Sequence, residues 1–515
     1  MKKAYQNLMS SDQKNSEFST LANQLIISTT DYYVRFLPKT DEEKEVLQEK
    51  DSLVLFDMPL DYELEEGVAG AYHDPSIPEG DITWQYSVVP VDYEFRNIEY
   101  EILADLFLQD DEFDSEGFST KSSANLSLRN TIRSQLNISL WEKMENEAFR
   151  LTGNLDDVVD VSSNAFDDSF QYVSFARRSK WYPSGKIQYE DNTTSRIIPL
   201  EGAKIIVKRW FKWKSDITDA NGDFRVGKFR SSKVKCAIKW ERADWDIRSG
   251  SYGQVWYSFE SLSRGSSWNK TIRRSSTPRN WLYASVHRGA MEYFYNYNTY
   301  GIKKPYNKWW FLKRRLHIGA KWKETHWFSD HYFTFNKIWW SAPVVVYSHW
   351  KSGTERDSRQ IFATTVHELA HVSHWEIGYS TAQYVIDYLA DDPFLPESWA
   401  TGVEHTITNR VYPASIVGTR NFPHKNDLQH YSLDYIQTES DGYTPIVIDM
   451  IDNHNQSTIN SNRPNDRVSG YTLGQLEDAL PGSFGSWWRW RTRLREMYNN
   501  PTDGAELDYL FREYR

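Results

Sequence analysis

His367-Glu368-Leu369-Ala370-His371 form an HExxH motif. On a helix, positions four apart lie on one face, so both imidazoles can turn to a single metal ion. Glu368 stands one position round from His367. That is close enough to reach a water on the ion and too far round to be a ligand. A Zn²⁺ bound this way brings the pKa of its water towards neutrality, and the carboxylate takes the proton as the water attacks a carbonyl carbon. The residues around the motif predict the helix it needs. Ile361, Phe362, Val366, Leu369 and Val372 recur at helical spacing, and no Gly or Pro interrupts the run before Gly378.

A catalytic zinc takes three protein ligands and leaves one position open. His374 is the nearest further histidine. The longer metzincin motif would require Gly at 374 and His at 377, and the chain has His374 and Ile377 instead. That class is excluded, and His374 is read as a neighbour of the site. Glu397 and Glu404 follow, 26 (397 − 371) and 33 (404 − 371) positions past His371. They are two helical turns apart, share a face, and by spacing either can be the third ligand. His405 and Tyr412 are candidate donors to an oxyanion or to a ligand. A metal-bound histidine normally passes its other N–H to a carboxylate or carbonyl. In thermolysin-like enzymes, whose HExxH motif this one resembles, that carboxylate is an Asp one turn past the third ligand, here one turn past Glu397. Thr401 stands there, and Asp391 and Asp392 are the substitutes at hand.

The elements that must position these groups are spread over a long chain. At 515 residues, 39% hydrophobic and 25% charged, it predicts a soluble multidomain α+β protein. Residues 1–117 mix extended runs with acidic loops: 52–56 and 84–93 read as strands and 99–108 as a short helix. Residues 118–181 read as a helical connector. Residues 182–262 are strand-rich, with Asn221-Gly222 between alternating runs predicting a hairpin in a β-sandwich of about seven strands. Residues 263–515 hold a helix over 278–300 closed by Gly301, then strands, then the HExxH helix. The last strand, 342–350, is expected at a sheet edge, where it could hold extended substrate. Two helical stretches, one ending in Asn453-His454-Asn455 and one rich in tryptophan, close the chain as a helical C-terminal lobe.

Net charge of −11 excludes general nucleic-acid affinity. Acidic residues crowd 41–160 and basic ones 204–323, so the acidic part is a candidate to dock on the basic middle. The single Cys236 excludes an intramolecular disulfide and a cysteine-rich zinc site. No apolar run is long enough to span a membrane. Met1-Lys2-Lys3 opens without the apolar stretch of an export signal. The 22 tryptophans and 32 tyrosines are read first as large aromatic cores, and second as platforms for sugars or peptides.

Two resemblances add to this. The run PLEGAKIIVKRWFKW…SDITDANGDFRV, with Thr218-Asp219, Gly222 and Phe224, is similar to carboxypeptidase-regulatory-like domains, which are small transthyretin-like sandwiches. Pro396-Glu397-Ser398-Trp399-Ala400 resembles the N-E-G-F/W-A segment of aminopeptidase-type gluzincins, whose glutamate binds zinc. That resemblance implies one Zn²⁺ on His367, His371 and Glu397, a zincin-like catalytic domain, and a polypeptide or glycoprotein substrate cut by an endopeptidase or aminopeptidase. The order sandwich, HELAH, ESWA resembles gluzincin-like metalloproteases of gut Bacteroidetes, which implies export to the periplasm or cell surface, often as lipoproteins. The alternative is a glycan- or cell-surface-binding protein with a degenerate zincin domain. No oligomeric state is assigned by the sequence.

Overall fold

A computed structural model describes residues 2–11, 29–50, 53–63, 72–78, 80–108, 138–152, 180–229, 231–249, 253–305, 307–309, 312–323, 331–333, 344–350, 352–378, 394–413, 444–455, 457, 464–483, 485–502 and 504–515. Most of the expected 118–181 connector, and Asp391 and Asp392, lie outside them. The chain is α+β, with helices and several sheets. It divides into two compact units. The first is Met1–Ile187, Lys204–Lys239 and Trp256–Lys270; the second is Gln188–Ala203, Trp240–Val255 and Thr271–Arg515.

Unit 1 begins with helix α1 (Lys2–Ser11) and strand β1 (Asp31–Leu37), followed by α2 (Asp41–Glu45). Next come β2 (Gln85–Pro90), β3 (Glu99–Leu106) and α3 (Ile138–Leu151). β1 lies between β2 and β3, antiparallel to both. The expected helix over 99–108 is therefore β3. Glu, Ala and Leu favour helix locally, but the backbone groups of this stretch find their partners on β1, and tertiary pairing overrides a weak propensity.

The strand-rich block supplies β4 (Ser184–Asp191), β5 (Arg196–Pro199), β6 (Lys204–Arg209), β7 (Lys212–Ile217), β8 (Asp223–Arg225) and β9 (Lys233–Lys239). After β10 (Trp245–Arg248) it continues with β11 (Trp256–Ser263) and β12 (Trp268–Ile272). One sheet has the order β11-β9-β6-β7 and is antiparallel throughout. The other has the order β12-β4-β5, with β8 also on β4. Asn221-Gly222 does turn the chain, and Gly222 takes φ +77. The strand after it, β8, pairs with β4 and not with β7. The hairpin is made earlier, at Trp210-Phe211, between Arg209 and Lys212. Trp210 holds positive φ there, in a turn without glycine or asparagine to mark it.

Within unit 1, one face of the β11-β9-β6-β7 sheet shares a core with the N-terminal segment. Ile206, Ala237 and Trp256 pack with Leu37, Phe56, Met58, Leu60, Trp84 and Tyr86. Phe56 stacks on Trp256 at 5.5 Å, and Trp256 Nε1 donates to Asp57 Oδ1 at 2.9 Å. The charge complementarity seen in the sequence contributes one ion pair here, Lys235 to Glu63 at 2.6 Å. The apolar stack is the larger part. Tyr257 of β11 meets Trp268 of β12, on the other sheet, and Trp268 meets Phe224 of β8.

Unit 2 contains β10, β15 (Leu316–Lys321), β17 (Val344–Tyr347) and β16 (His331–Phe333), in that sheet order. β10, β15 and β17 are parallel, and β16 is antiparallel to β17. A short pair, β13 (Asn307–Trp309) and β14 (Leu312–Arg314), stands apart. β17 is thus an interior strand; β16, not the expected 342–350 run, is at the edge. Helix α4 (Pro278–Tyr300) ends at Gly301 with φ +70, as the sequence predicts. Helices α5 (Ser358–Gly378), α6 (Phe394–Val411) and α7 (Ile446–Ile451) follow. The unit ends with α8 (Leu473–Asp478), α9 (Trp487–Met497) and α10 (Ala505–Glu513). Asn453, His454 and Asn455 follow α7 without regular structure. α4 and α5 meet at Gly289, where a Cβ would stand 2.9 Å from Thr365 Cβ. Trp487 Nε1 donates to the Phe511 carbonyl and Trp490 Nε1 to that of Leu476, which fixes the three last helices on one another. No described helix is long and apolar enough to cross a membrane.

Candidate metal centre

α5 is buried nearly all round, from Ser358 to Trp375. A helix of that kind depends on its neighbours to satisfy its first amide groups. Asp357 and Gln360 cap it reciprocally: Gln360 N donates to Asp357 Oδ1 at 2.8 Å, and Asp357 N donates to Gln360 Oε1 at 2.9 Å. The turn after β4 adds two acceptors. Ser358 N donates to Asn192 Oδ1 at 2.8 Å and Arg359 N to Thr193 Oγ1 at 3.0 Å. Sequence reading missed this cap, because its residues lie 166 positions away.

α5 and α6 run antiparallel, since His367 meets Glu404 while His371 meets Glu397. Their side chains converge at one point. His367 Nε2 lies 3.2 Å from His371 Nε2 and 3.2 Å from Glu397 Oε2; His371 Nε2 lies 3.3 Å from that same oxygen. A tetrahedral zinc with bonds of about 2.0 Å holds its ligands about 3.3 Å apart. The three atoms therefore form one face of such a tetrahedron, and their chemistry, two imidazole nitrogens and a carboxylate, is that of a catalytic zinc site. The residues fit the ion.

Glu404 does not join the triangle. Its Oε2 accepts from His367 Nδ1 at 3.0 Å. A carboxylate only accepts, so Nδ1 carries a proton towards Glu404 and Nε2 is the nitrogen turned to the centre. The carboxylate missing at Thr401, a buried residue, is thus supplied one further turn along α6. Burial opposes charge on His367, yet hydrogen bonds to Glu397 and Glu404 hold it well above the usual imidazole range. Burial likewise raises the Glu397 carboxyl, but His371 and His367 hold it below the usual carboxylate range. A metal held by these residues would take the place of the Nε2 proton, and the same carboxylates would favour its positive charge.

Glu368 is 1% exposed on α5, beside His367. His374 is fully buried one turn past His371, and burial pushes it down to about 3, so it is a neutral imidazole. His405 faces its own helix, with Asn409 Nδ2 2.7 Å from its Nε2. The Tyr412 hydroxyl accepts from Arg288 at 2.6 Å, and its ring lies on Phe362, near the start of α5. His405 and Tyr412 are thus engaged away from the triangle. No family model, curated protein or solved structure matches the chain.

Proposed function

We propose that unit 2 is a gluzincin-type zinc peptidase and that His367, His371 and Glu397 hold the ion. The single observation that carries the reading is the triangle of 3.2, 3.2 and 3.3 Å made by two imidazoles and a carboxylate on adjoining helices. Zinc in that position supplies a Lewis acid that acidifies a water and polarises a peptide carbonyl. The residues of the chain do the rest. Glu368 takes the proton of the attacking water and returns it to the departing amine. Glu404 keeps the His367 ring in the tautomer and orientation the site requires. The burial of α5 lowers the local dielectric and strengthens each of these interactions. The edge strand β16 is the natural place for an extended polypeptide to pair.

The finer fold assignment belongs to the same proposal. A mixed sheet with an antiparallel edge strand, followed by the HExxH helix and a glutamate helix, resembles a zincin. The two four-stranded sheets around β4 and β6 resemble a transthyretin-like sandwich. The rival reading of a glycan platform would rest on the exposed Tyr62, Tyr100, Tyr182 and Tyr295, since no tryptophan is among the exposed large side chains of the described residues. Metal analysis of the purified chain tests the peptidase reading. We expect about one zinc per chain, loss of peptide cleavage in a chelator, and retention of the metal with loss of cleavage in Glu368→Gln. A chain without stoichiometric zinc, or full cleavage by Glu368→Gln, overturns it.

A further inference from the structure

The triangle joins the middle of α5 to the first turn of α6, so its size depends on how the two helices are held elsewhere. One end of the pair carries a feature that the peptidase chemistry does not use. Arg288, on α4, is half-buried where the start of α5 and the end of α6 come together. Its Nη1 donates to Tyr412 Oη at 2.6 Å, just past α6, and to Asp191 Oδ2 at 3.2 Å, at the end of β4. Asp191 Oδ1 in turn accepts from the amides of Thr193 and Thr194, both at 3.1 Å. That fixes the turn in which Asn192 and Thr193 cap α5. Tyr189 completes the connection by donating to Ser358 Oγ at 2.9 Å, the first residue of α5.

The guanidinium also lies over three aromatic rings, each from a different element. It is 5.3 Å from Tyr189 of β4, 5.9 Å from Phe362 of α5 and 5.5 Å from Tyr412. Burial disfavours its charge, but Tyr412, Tyr189 and Asp191 hold it protonated. A point charge at this place would not do the same work. Both hydrogen bonds leave Nη1, and the planar guanidinium keeps its faces for the rings, which a lysine ammonium lacks.

We propose that Arg288 is a positioning residue for the metal centre: it clamps the shared end of α5 and α6 and so sets the distance of His367 and His371 from Glu397 and Glu404. The inference rests on the zinc reading above. The clamp lies nine residues from His367 along α5 (367 − 358) and eight from Glu404 (412 − 404), roughly 12–14 Å at the helical rise. It touches no ligand, so it acts only through the two helices. A slip of α6 against α5 of about one residue, 1.5 Å, would pull the carboxylate out of a triangle whose sides are 3.2–3.3 Å.

The test uses the full chain and reads the metal rather than the rate. Tyr412→Phe removes only the hydroxyl, and Arg288→Lys keeps the charge but loses the planar face. Leu510→Ala, in the buried core of α10, serves as a control that destabilises the same unit elsewhere. Zinc affinity is measured by competition with a chromophoric chelator, geometry by the visible spectrum of the Co²⁺-substituted chain, and stability by thermal melting without metal. We expect Tyr412→Phe to weaken zinc on the order of tenfold and to change the Co²⁺ spectrum, with Arg288→Lys weakening it further. Leu510→Ala should lower the melting temperature and leave both metal readouts unchanged. Wild-type affinity and spectrum in Tyr412→Phe and in whatever folds of Arg288→Lys overturn the clamp. So does an equal loss of affinity in Leu510→Ala. A wild-type chain that binds no zinc overturns the zinc reading itself, and is recognised before any variant is made.

Discussion

Buried charge ends in different places in the two units. In unit 1, Lys208 Nζ donates to the Leu60 carbonyl at 2.7 Å and lies over the Phe259 ring at 4.0 Å. Lys239 Nζ donates to the Leu55 carbonyl and faces Trp256. Both cations reach backbone of the N-terminal segment, which is how a long aliphatic stem with a polar tip braces one layer on another. In unit 2, His367 and His371 turn towards each other and towards one carboxylate. Two imidazole nitrogens 3.2 Å apart, with one carboxylate oxygen 3.2 and 3.3 Å from them, have the spacing of ligands to a shared cation. The contrast teaches that burial of a polar group is not by itself a sign of function. Convergence of several groups of ligand type on one point is the more specific sign.

Substitutions can break that contrast or sharpen it. The largest effect is expected from Glu368→Gln. A positioned general base contributes about 10²–10⁴-fold, so cleavage should fall by that factor while zinc content, measured by atomic absorption, stays near wild type. Glu404→Gln comes next. It weakens the hold on the Nδ1 proton of His367 without touching the triangle, and zinc affinity should fall about 10–100-fold, read by chelator competition. If affinity does not change, Glu404 has no part in the centre.

Gly402→Ala tests the support of α6. The added Cβ would come 2.1 Å from Val447 Cγ1 on α7, so a shift is unavoidable. A cost of about 1–3 kcal/mol in chemical denaturation is expected, together with weaker zinc binding if α7 helps to seat α6.

The smallest effect belongs to unit 1. Burial lowers Lys208 to about 8 from 10.5. Below about 8 the amine is protonated folded and unfolded, and the folded chain bears the whole cost of burying it. Between the two values the unfolded chain binds more protons, so stability rises with pH across that window. Lys208→Met should remove this rise, on the order of 1 kcal/mol, in denaturation followed by tryptophan fluorescence. It should leave zinc affinity untouched. A change in zinc affinity would mean that the units are not as separate in function as the contrast holds.

Much of the candidate site was legible before the fold was known. HExxH names its own chemistry, because a helix brings positions 367 and 371 to one face whatever surrounds it. Glu397 and Glu404 were legible as a pair and not as individuals, since seven residues is two turns. What separates them is the height at which α6 crosses α5, with Glu397 level with both Nε2 atoms and Glu404 level with the outer nitrogen of His367. That is a property of the helix pair. Tyr412 was legible as a candidate without its partner, because position along a helix says nothing about an arginine brought in by another element.

The fold divides in the same way. Helix α4 and its Gly301 stop, the strand over 85–90 and the tight turn at Asn221-Gly222 follow from periodicity and from residues suited to their backbone angles. The strand over 99–106, the hairpin at Trp210-Phe211 and the transfer of 240–255 to unit 2 do not. Local sequence determined which stretches can form a helix or a turn, and which residues can bind a metal. Only the tertiary structure decided which backbone each strand pairs with, and which carboxylate reaches which nitrogen. Those choices depend on partners outside the local stretch, 30 and 37 residues away for Glu397 and Glu404 and further for β3 on β1, and no local pattern encodes a distance between two helices.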